Sequence, residues 1–397
     1  IGPPFGEQLG NMPCALCGQC TLVCPTGAIH EKEQIEDVWE VLDDPTKHVI
    51  VQTAPATRVS LGEALGLEPG SIVTGQMVAA LRALGFDKVF DTDFAADLTI
   101  MEEGSELIKR LEKGGPLPLI TSCSPGWVKF CEHYYPEFLE NISTCKSPQQ
   151  MFGALAKTYY AGKSRIDPKD IVVVSIMPCT AKKFEAQRCE MVDSGYLDVD
   201  IVLTVRETAK MIKQAGINIR NLEPEEYDAP LGISTGAGAI FGATGGVMEA
   251  ALRTVYEMLT GKELEKIDFE AVRGLESVKE AEIELPDLTV KVAVAHGLGN
   301  AKKLLERIKN KEAEYHFVEI MACPGGCIGG GGQPIPTDTE KRQKRIAAIY
   351  NVDKNMPLRK SHENPALKQL YKDYLIKPLG EMSHKLLHTD YAARRKY

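Results

Sequence analysis

The chain has 397 residues, of which 44% are hydrophobic and 25% charged, enough to bury the cores of two or three domains and too apolar for a disordered or fibrous protein. Forty-six Lys and Arg against fifty-five Asp and Glu leave a formal charge of −9, which offers no global positive field to nucleic acid or to an anionic membrane. With no run of about 18 apolar residues and no charged-then-apolar leader, the sequence predicts a soluble protein without a membrane span.

The chain opens on Ile1 rather than Met, and its first cysteine cluster begins at residue 14, so it is expected to be the ordered or processed part of something longer. That cluster is Cys14-x-x-Cys17-x-x-Cys20-x-x-x-Cys24-Pro25, the spacing of bacterial [4Fe–4S] ferredoxins, in which three thiolates hold one cubane and the fourth serves a neighbouring cluster. Zinc is the competing reading, but zinc motifs usually occur as separated Cys pairs. Only one such motif is present: either a preceding segment supplies further ligands, or all four thiolates hold a single cube. Eleven cysteines, odd in number and clustered, point to metal chemistry rather than disulfides and to a reducing compartment, the cytoplasm, with an anaerobe's periplasm also compatible.

A helix-like charged stretch, EKEQIEDVWEVLDD, comes next. Apolar, β-branched runs at HVIVQTAPA, LPLITSC, DIVVVSIMPC and DIVLT then alternate with helical segments, the pattern of a parallel sheet covered on both faces. After the polar RNLEPEEYDAP and the Gly-rich GISTGAGAIFGATGG, a helix VMEAALRTVYEML opens a second lobe with strands at TVKVAVAHG and YHFVEIMAC. From about residue 354 the chain is charged, helix-like and without strands, too short for a domain and expected to wrap the others. The expected fold is α/β: part of a ferredoxin-like segment over 1–35, two lobes with parallel sheets over about 43–228 and 229–353 within a 36–353 catalytic domain, and a wrapping tail over 354–397.

Cys123, Cys179 and Cys323 each fall at the carboxyl end of a predicted strand, where open α/β sheets place their ligands. Their contexts are TSCSPGW (121–127), MPCTAKKFE (177–185) and EIMACPGGCIGGGGQP (319–334). Each alone reads as a buried small hydrophobe; together they read as one site. Cys323 and Cys327 would share a face if a helix started there, and the glycines would let backbone approach a bulky inorganic group. Soft thiolates from separate segments favour an iron–sulfur assembly over Mg or Ca.

On these three motifs the chain resembles the catalytic subunit of [FeFe]-hydrogenases over residues 10 to 392. The resemblance implies a six-iron H-cluster: a cubane joined by one thiolate to a diiron unit with CO, CN⁻ and an azadithiolate bridge. By motif matching Cys179 and Cys323 are implied as cubane ligands and Cys327 as the bridging thiolate. Lys182 would donate to one cyanide, while Pro55, Ala56, Pro148, Gln149, Met177, Phe241 and Met321 would pack or hydrogen-bond around the diiron ligands. The tail resembles the family's small-subunit segment. Where the family carries two adjacent cysteines, a proton donor and a cubane ligand, this chain has Cys123 and Ser124. Ser124 could ligate as an alkoxide, Cys123 could shift into the vacancy, or the position could be a variant of altered potential. A hydroxyl is harder and far less acidic than a thiol, so a Ser-ligated cubane is expected to be less stable and less easily reduced.

On the predicted helix MEEGSELIKRLEK, Glu103, Glu106 and Arg110 form one stripe beside Leu107 and Leu111, by itself the pattern of a solvated, salt-bridged face. The resemblance turns Arg110, Glu106, Ser143, Glu103 and Cys123 into a proton route from surface to cluster, which carboxylates and hydroxyls suit because they both accept and donate. Neither AHGLGN (295–300) nor GAGAIFG has the spacing of a dinucleotide fingerprint. Cys131, Cys145 and Cys189 lack ligand spacing, and His362, His384 and His388 read as structural.

The expected activity is reversible reduction of protons to H2, with electrons entering through the Cys14–Cys24 cluster from ferredoxin or partner electron-transfer subunits, and with neither nucleic acid nor membrane as partner. Two alternatives stand beside it: the catalytic subunit of an NAD(P)-linked electron-bifurcating complex, and a non-catalytic H2 sensor or iron–sulfur assembly factor, motivated by Ser124.

Overall fold

The computed structural model describes residues 12–264, 266–284 and 288–395. Residues 1–11 of the expected Cys-rich segment and 396–397 of the tail lie outside them. Among the described residues eight strands make two sheets. β1 (His48–Thr53), β2 (Lys88–Asp91), β4 (Ile171–Met177) and β5 (Ile201–Thr204) form an all-parallel sheet in the order β2-β1-β4-β5; β3 (Leu119–Ile120), β6 (Val278–Glu284), β7 (Thr289–His296) and β8 (Phe317–Met321) form the second, ordered β3-β8-β7-β6. In the first, Val51 is level with Val89 and Ile50 with Val173. Alternate residues feed different cores, Ile50 one face and Val49 and Val51 the other, because successive side chains of a strand point to opposite sides. The same alternation divides the second sheet, with Val292 and Val294 on one face and Ala293 and Ala295 on the other. Burial on both faces explains the near-continuous apolar runs.

The two-sheet α/β architecture is as expected, with three differences. β2 and β6 were not predicted: β2 is only four residues, and β6 is an edge strand, antiparallel to β7, whose charged alternation (VKEAEIE) hides it, so the second sheet is mixed rather than parallel. β3, placed by the sequence in the first lobe, pairs with β8 in the second, so that lobe is not contiguous in the chain. The helix Thr339–Asn355 runs unbroken through residue 354, so the tail begins with a helix rather than after one.

Three helices position the cysteines and the charged stripe. α1 (Gln19–Val23) lies inside the first cysteine cluster, α2 (Thr92–Lys113) succeeds β2, and α3 (Pro125–Tyr134) succeeds β3. α2 starts well before the stretch its charge pattern marks, because its first two turns are buried almost throughout. The tail packs Leu367, Leu370, Leu386 and Leu387 into the first core and pins α2 through Asp97, which accepts from Ser361 Oγ at 2.7 Å and Asn364 Nδ2 at 3.0 Å. Among the described residues no helix is long and apolar enough to cross a membrane.

Candidate metal centre

The carboxyl ends of β1, β3, β4 and β8 open onto one cavity, the crevice position that open sheets favour. Its empty space, counted out to the open mouth, is about 760 Å³. Its walls carry Cys123, Cys179, Cys323 and Cys327 together with Ser124, Lys182, Pro55, Pro148, Gln149, Met177, Phe241 and Met321. Of the residues expected to surround the cofactor, only Ala56 is absent from the wall; it is fully buried behind it, beneath Gly242. Thr92 and Ala96 of α2, and Cys17 of the first cluster, also line the cavity. Sequence spacing could not reveal the first two, which carry no chemical signature.

Cys323 and Cys327 do not share a helix. Gly325 and Gly326 have φ of +80° and +89°, and only a short 3-10 turn, Cys327–Gly329, comes after them. Positive φ at two successive positions cannot start an α-helix, so the loop rather than helical periodicity turns both thiols inward. A Cβ on Gly330 would lie 2.0 Å from the Pro178 carbonyl oxygen, which shows how closely the Cys327 loop approaches the Cys179 loop. Gly325 N donates to His296 Nδ1 at 3.1 Å, and Arg345 Nη1 to Ile328 O at 2.8 Å, so a strand-end histidine and a buried arginine brace the loop. Neither was singled out from sequence.

Burial pushes all four thiols up, Cys327 to about 12, with Lys182 pulling against the shift at Cys123, Cys179 and Cys327. Three of these groups crowd one another, and cationic iron is what would release their protons. A donor set of soft thiols and glycine-lined walls fit an iron–sulfur group with Cys179, Cys323 and Cys327 as ligands. Among the described residues no three His, Cys, Asp or Glu converge to chelate a lone ion; the thiols are spread around the cavity. Ser124 sits at the wall as the residue before α3, but its hydroxyl does not cap that helix; it accepts from Ala322 N at 3.2 Å. The hydroxyl is therefore tied to the segment that carries Cys323.

Lys182 is buried. Its Nζ donates to Cys123 O at 3.2 Å and to Glu185 Oε2 at 2.9 Å, leaving one of its three protons for the cavity. Glu185 also accepts from Ser147 Oγ and Gln149 Nε2, while Gln149 Oε1 is buried without a partner among the described residues.

The stripe on α2 is not a solvated face. Glu103 and Glu106 are 2% and 8% exposed, and only Arg110 reaches the surface. Arg110 Nη2 donates to Glu106 Oε1 at 2.6 Å, and Ser143 Oγ to Glu106 Oε2 at 2.8 Å. Glu103 is pushed up to about 8 by burial and then by the Glu106 charge, partly offset by the Ser143 hydroxyl and the Ser122 amide. Its charge would in turn act on Cys123. Hydrogen bonds thus join Arg110, Glu106 and Ser143, whereas Glu103 Oε1 is buried without a hydrogen-bond partner among the described residues.

The first cluster docks on the same loops. Gln19 Nε2 donates to Gly329 O, Thr21 Oγ1 to Gly331 O and Thr180 Oγ1 to Leu16 O. Cys17 thereby faces the cavity, whereas Cys20 and Cys24 face outward. Hydrogen bonds from Thr26 and the Ile29 amide bring Cys24 down to about 7, a thiol readily converted to thiolate.

A family model described as iron only hydrogenase large subunit, C-terminal domain, matches residues 47–331, and one described as iron hydrogenase small subunit matches 339–394, the latter starting at the helix that opens the tail. The chain is 56% identical to the NADP-reducing hydrogenase subunit HndD of Solidesulfovibrio fructosivorans, covering all of this chain and 69% of that one. It is 52% identical to the periplasmic [Fe] hydrogenase large subunit of Nitratidesulfovibrio vulgaris, covering 86% of this chain and 90% of that one. Among solved structures, a variant of the [FeFe]-hydrogenase HydA1 from Chlamydomonas reinhardtii matches with a TM-score of 0.81 and 47% identity, over 92% of this chain and all of that one.

Proposed function

Because the chain belongs to the iron-only hydrogenase family, oxidoreductases that act on H2 and carry an H-cluster with iron–sulfur clusters, we propose that it catalyses reversible formation and oxidation of H2 at a six-iron H-cluster in this cavity. Cys179, Cys323 and Cys327 would hold the cluster, with the Ser124 hydroxyl at the fourth cubane corner. Cys14, Cys17, Cys20 and Cys24 would hold a [4Fe–4S] cluster through which electrons pass. The observation that carries this reading is a single cavity that joins three strand-end thiols to Lys182; hydrogen-bonded Arg110, Glu106 and Ser143, with the buried Glu103, would supply the way to solvent.

When bound, the cofactor supplies an open iron site and a basic bridge amine, the chemistry no side chain provides. The chain's own residues move the proton. Arg110 holds Glu106 at the surface end, Ser143 donates to Glu106, and a hydroxyl rotation would pass the proton on toward Glu103. Glu103 carries its proton at neutral pH, since its pKa stands near 8, and so can donate as well as accept. Cys123, kept neutral by burial, presents a proton rather than a thiolate to the cavity. Lys182 and Gln149 supply polar contacts in an otherwise apolar chamber, which keeps water out and fixes the ligands' orientation.

Infrared spectroscopy of the anaerobically matured protein, with Ser124→Cys beside it, tests the reading. Iron-bound CO and CN⁻ stretches with H2 turnover in both establish it. Bands in the Cys variant alone assign Ser124 a block on assembly. Bands in neither, under maturation that loads a control hydrogenase, leave an electron carrier, sensor or assembly role.

For the electron partner, the identity to an NADP-reducing hydrogenase subunit favours a multi-chain complex. This chain has no dinucleotide fingerprint, so nicotinamide chemistry would belong to partner chains, with electrons entering at the outward Cys20 and Cys24; a ferredoxin could use the same face.

A further inference from the structure

The tail places a buried carboxylate–imidazole–hydroxyl chain directly beside the proton route. Glu102, fully buried on α2, accepts from Tyr371 OH at 2.7 Å, from Leu379 N at 2.8 Å and from His388 Nε2 at 3.2 Å. All three partners come from the tail. The other ring nitrogen, His388 Nδ1, lies 2.8 Å from Thr144 Oγ1. A carboxylate only accepts, so Nε2 carries a proton, and Nδ1 is left to pair with the Thr144 hydroxyl. The backbones are joined as well: Cys145 and His388 form an isolated antiparallel bridge, with Thr389 N donating to Thr144 O at 2.7 Å and Lys146 N to Leu387 O at 2.8 Å.

Ser143 is the one link between Arg110 and Glu103 that is not on α2. Its segment is held from one side by β3, where Ser143 N donates to Ile120 O at 2.8 Å, and from the other by the tail. Thr144 N also donates to Glu106 Oε2 at 3.3 Å, so the residue that His388 grips touches the relay carboxylate itself. Cys145 also shares a core with Phe94, Ala95 and Leu98 of α2, and a hydroxyl relay between helix and segment fails when its oxygens drift beyond hydrogen-bond reach.

We propose that His388, oriented by Glu102, is a positioning residue for the proton route: through Thr144 it fixes segment 143–146 so that the Ser143 hydroxyl stays on Glu106, one helical turn from Glu103. This rests on the hydrogenase reading. It gives the tail a catalytic task, since the tail then sets the geometry of a route whose members all lie in the large-subunit region. The charged and titratable groups facing His388 are Glu102 on α2, Tyr371 and His384 in the tail, with Glu106 and Lys109 acting on His384, whose ring lies 4.5 Å from that of His388.

The test uses Thr144→Val and Thr144→Ser in the full chain, with His388→Gln as a third variant. Val keeps the packing and loses the hydroxyl; Ser does the reverse. Amide hydrogen exchange over residues 142–146 of the unloaded protein is read first, then H2 turnover, KM for H2 and the solvent deuterium isotope effect of the matured enzyme. The expected result is faster local exchange, turnover lowered about ten- to a hundredfold, an unchanged KM and a larger isotope effect for Val and Gln, with Ser close to wild type. Unchanged exchange and turnover in Val, or a greater loss in Ser than in Val, overturns the proposal. A wild-type protein that shows CO and CN⁻ bands and turns over H2 while Val matches it removes this inference alone; a wild type without bands removes the hydrogenase reading.

Discussion

Glu103 and Glu106 lie one turn apart on α2, both buried, and the Glu106 carboxylate, paired with Arg110, discourages ionisation of Glu103. Two carboxylates in one dry pocket therefore differ: Glu106 is paired with the surface arginine, while Glu103 is pushed up to about 8 by burial and then by its neighbour. Such a pair of separated environments is how one scaffold provides both acceptor and donor.

Replacing Glu103 by Gln keeps its shape and removes the transferable proton. We expect H2 turnover to fall by roughly 10²- to 10⁴-fold, the usual worth of a positioned acid–base group. The infrared bands of the loaded cofactor should be unmoved. Turnover within twofold of wild type would exclude Glu103 from the route.

The same residue predicts a pH dependence of stability. Its folded pKa of about 8 lies above the unfolded value of 4.5, so between these values the folded state binds more protons than the unfolded. Stability from this group is complete below about 4.5 and is lost as pH rises through 8. The thermal midpoint of the apoprotein should thus decline from pH 5 to pH 9, and decline less in Glu103→Gln. Parallel profiles for the two proteins would contradict the buried, protonated state.

Lys182 has two separable tasks. Lys182→Met leaves Glu185 buried without its cation, a change that costs about 3 kcal/mol in comparable buried pairs. The double variant Lys182→Met/Glu185→Gln should recover most of that stability in urea titration while cofactor loading stays low, because the proton that Lys182 offers to the cavity is still missing. Full loading of the double variant would show that Lys182 serves only to pair Glu185.

Much of the site was legible because iron–sulfur ligation uses Cys, whose spacing and strand-end placement survive in one dimension. What was not legible depends on contacts between distant segments. β6 alternates Lys and Glu with apolar residues because only one of its faces is covered, and so lacked the β-branched run that marked the other strands. β3 has two residues, and its partner β8 lies almost two hundred positions on, so nothing local assigned it to the second sheet. The stripe on α2 read as solvated because local charge gives no hint that segment 143–146 and the tail bury it. His388 read as structural for the same reason: Glu102, its partner, is 286 residues away.

Ser124 supplies the last prediction. Its hydroxyl accepts from Ala322 N, in the segment that leads to Cys323, so a thiol at this position would face the same cavity from the same helix start. Sulfur is softer and its proton far more acidic, and both properties favour iron. Ser124→Cys should therefore raise the iron retained per chain after chelator challenge and make the cubane easier to reduce, seen as a higher midpoint in an EPR-monitored redox titration. The opposite order, with the Ser protein holding iron longer or reducing at higher potential, would mean that position 124 does not face the cubane, and that Cys179, Cys323 and Cys327 are completed by a different ligand.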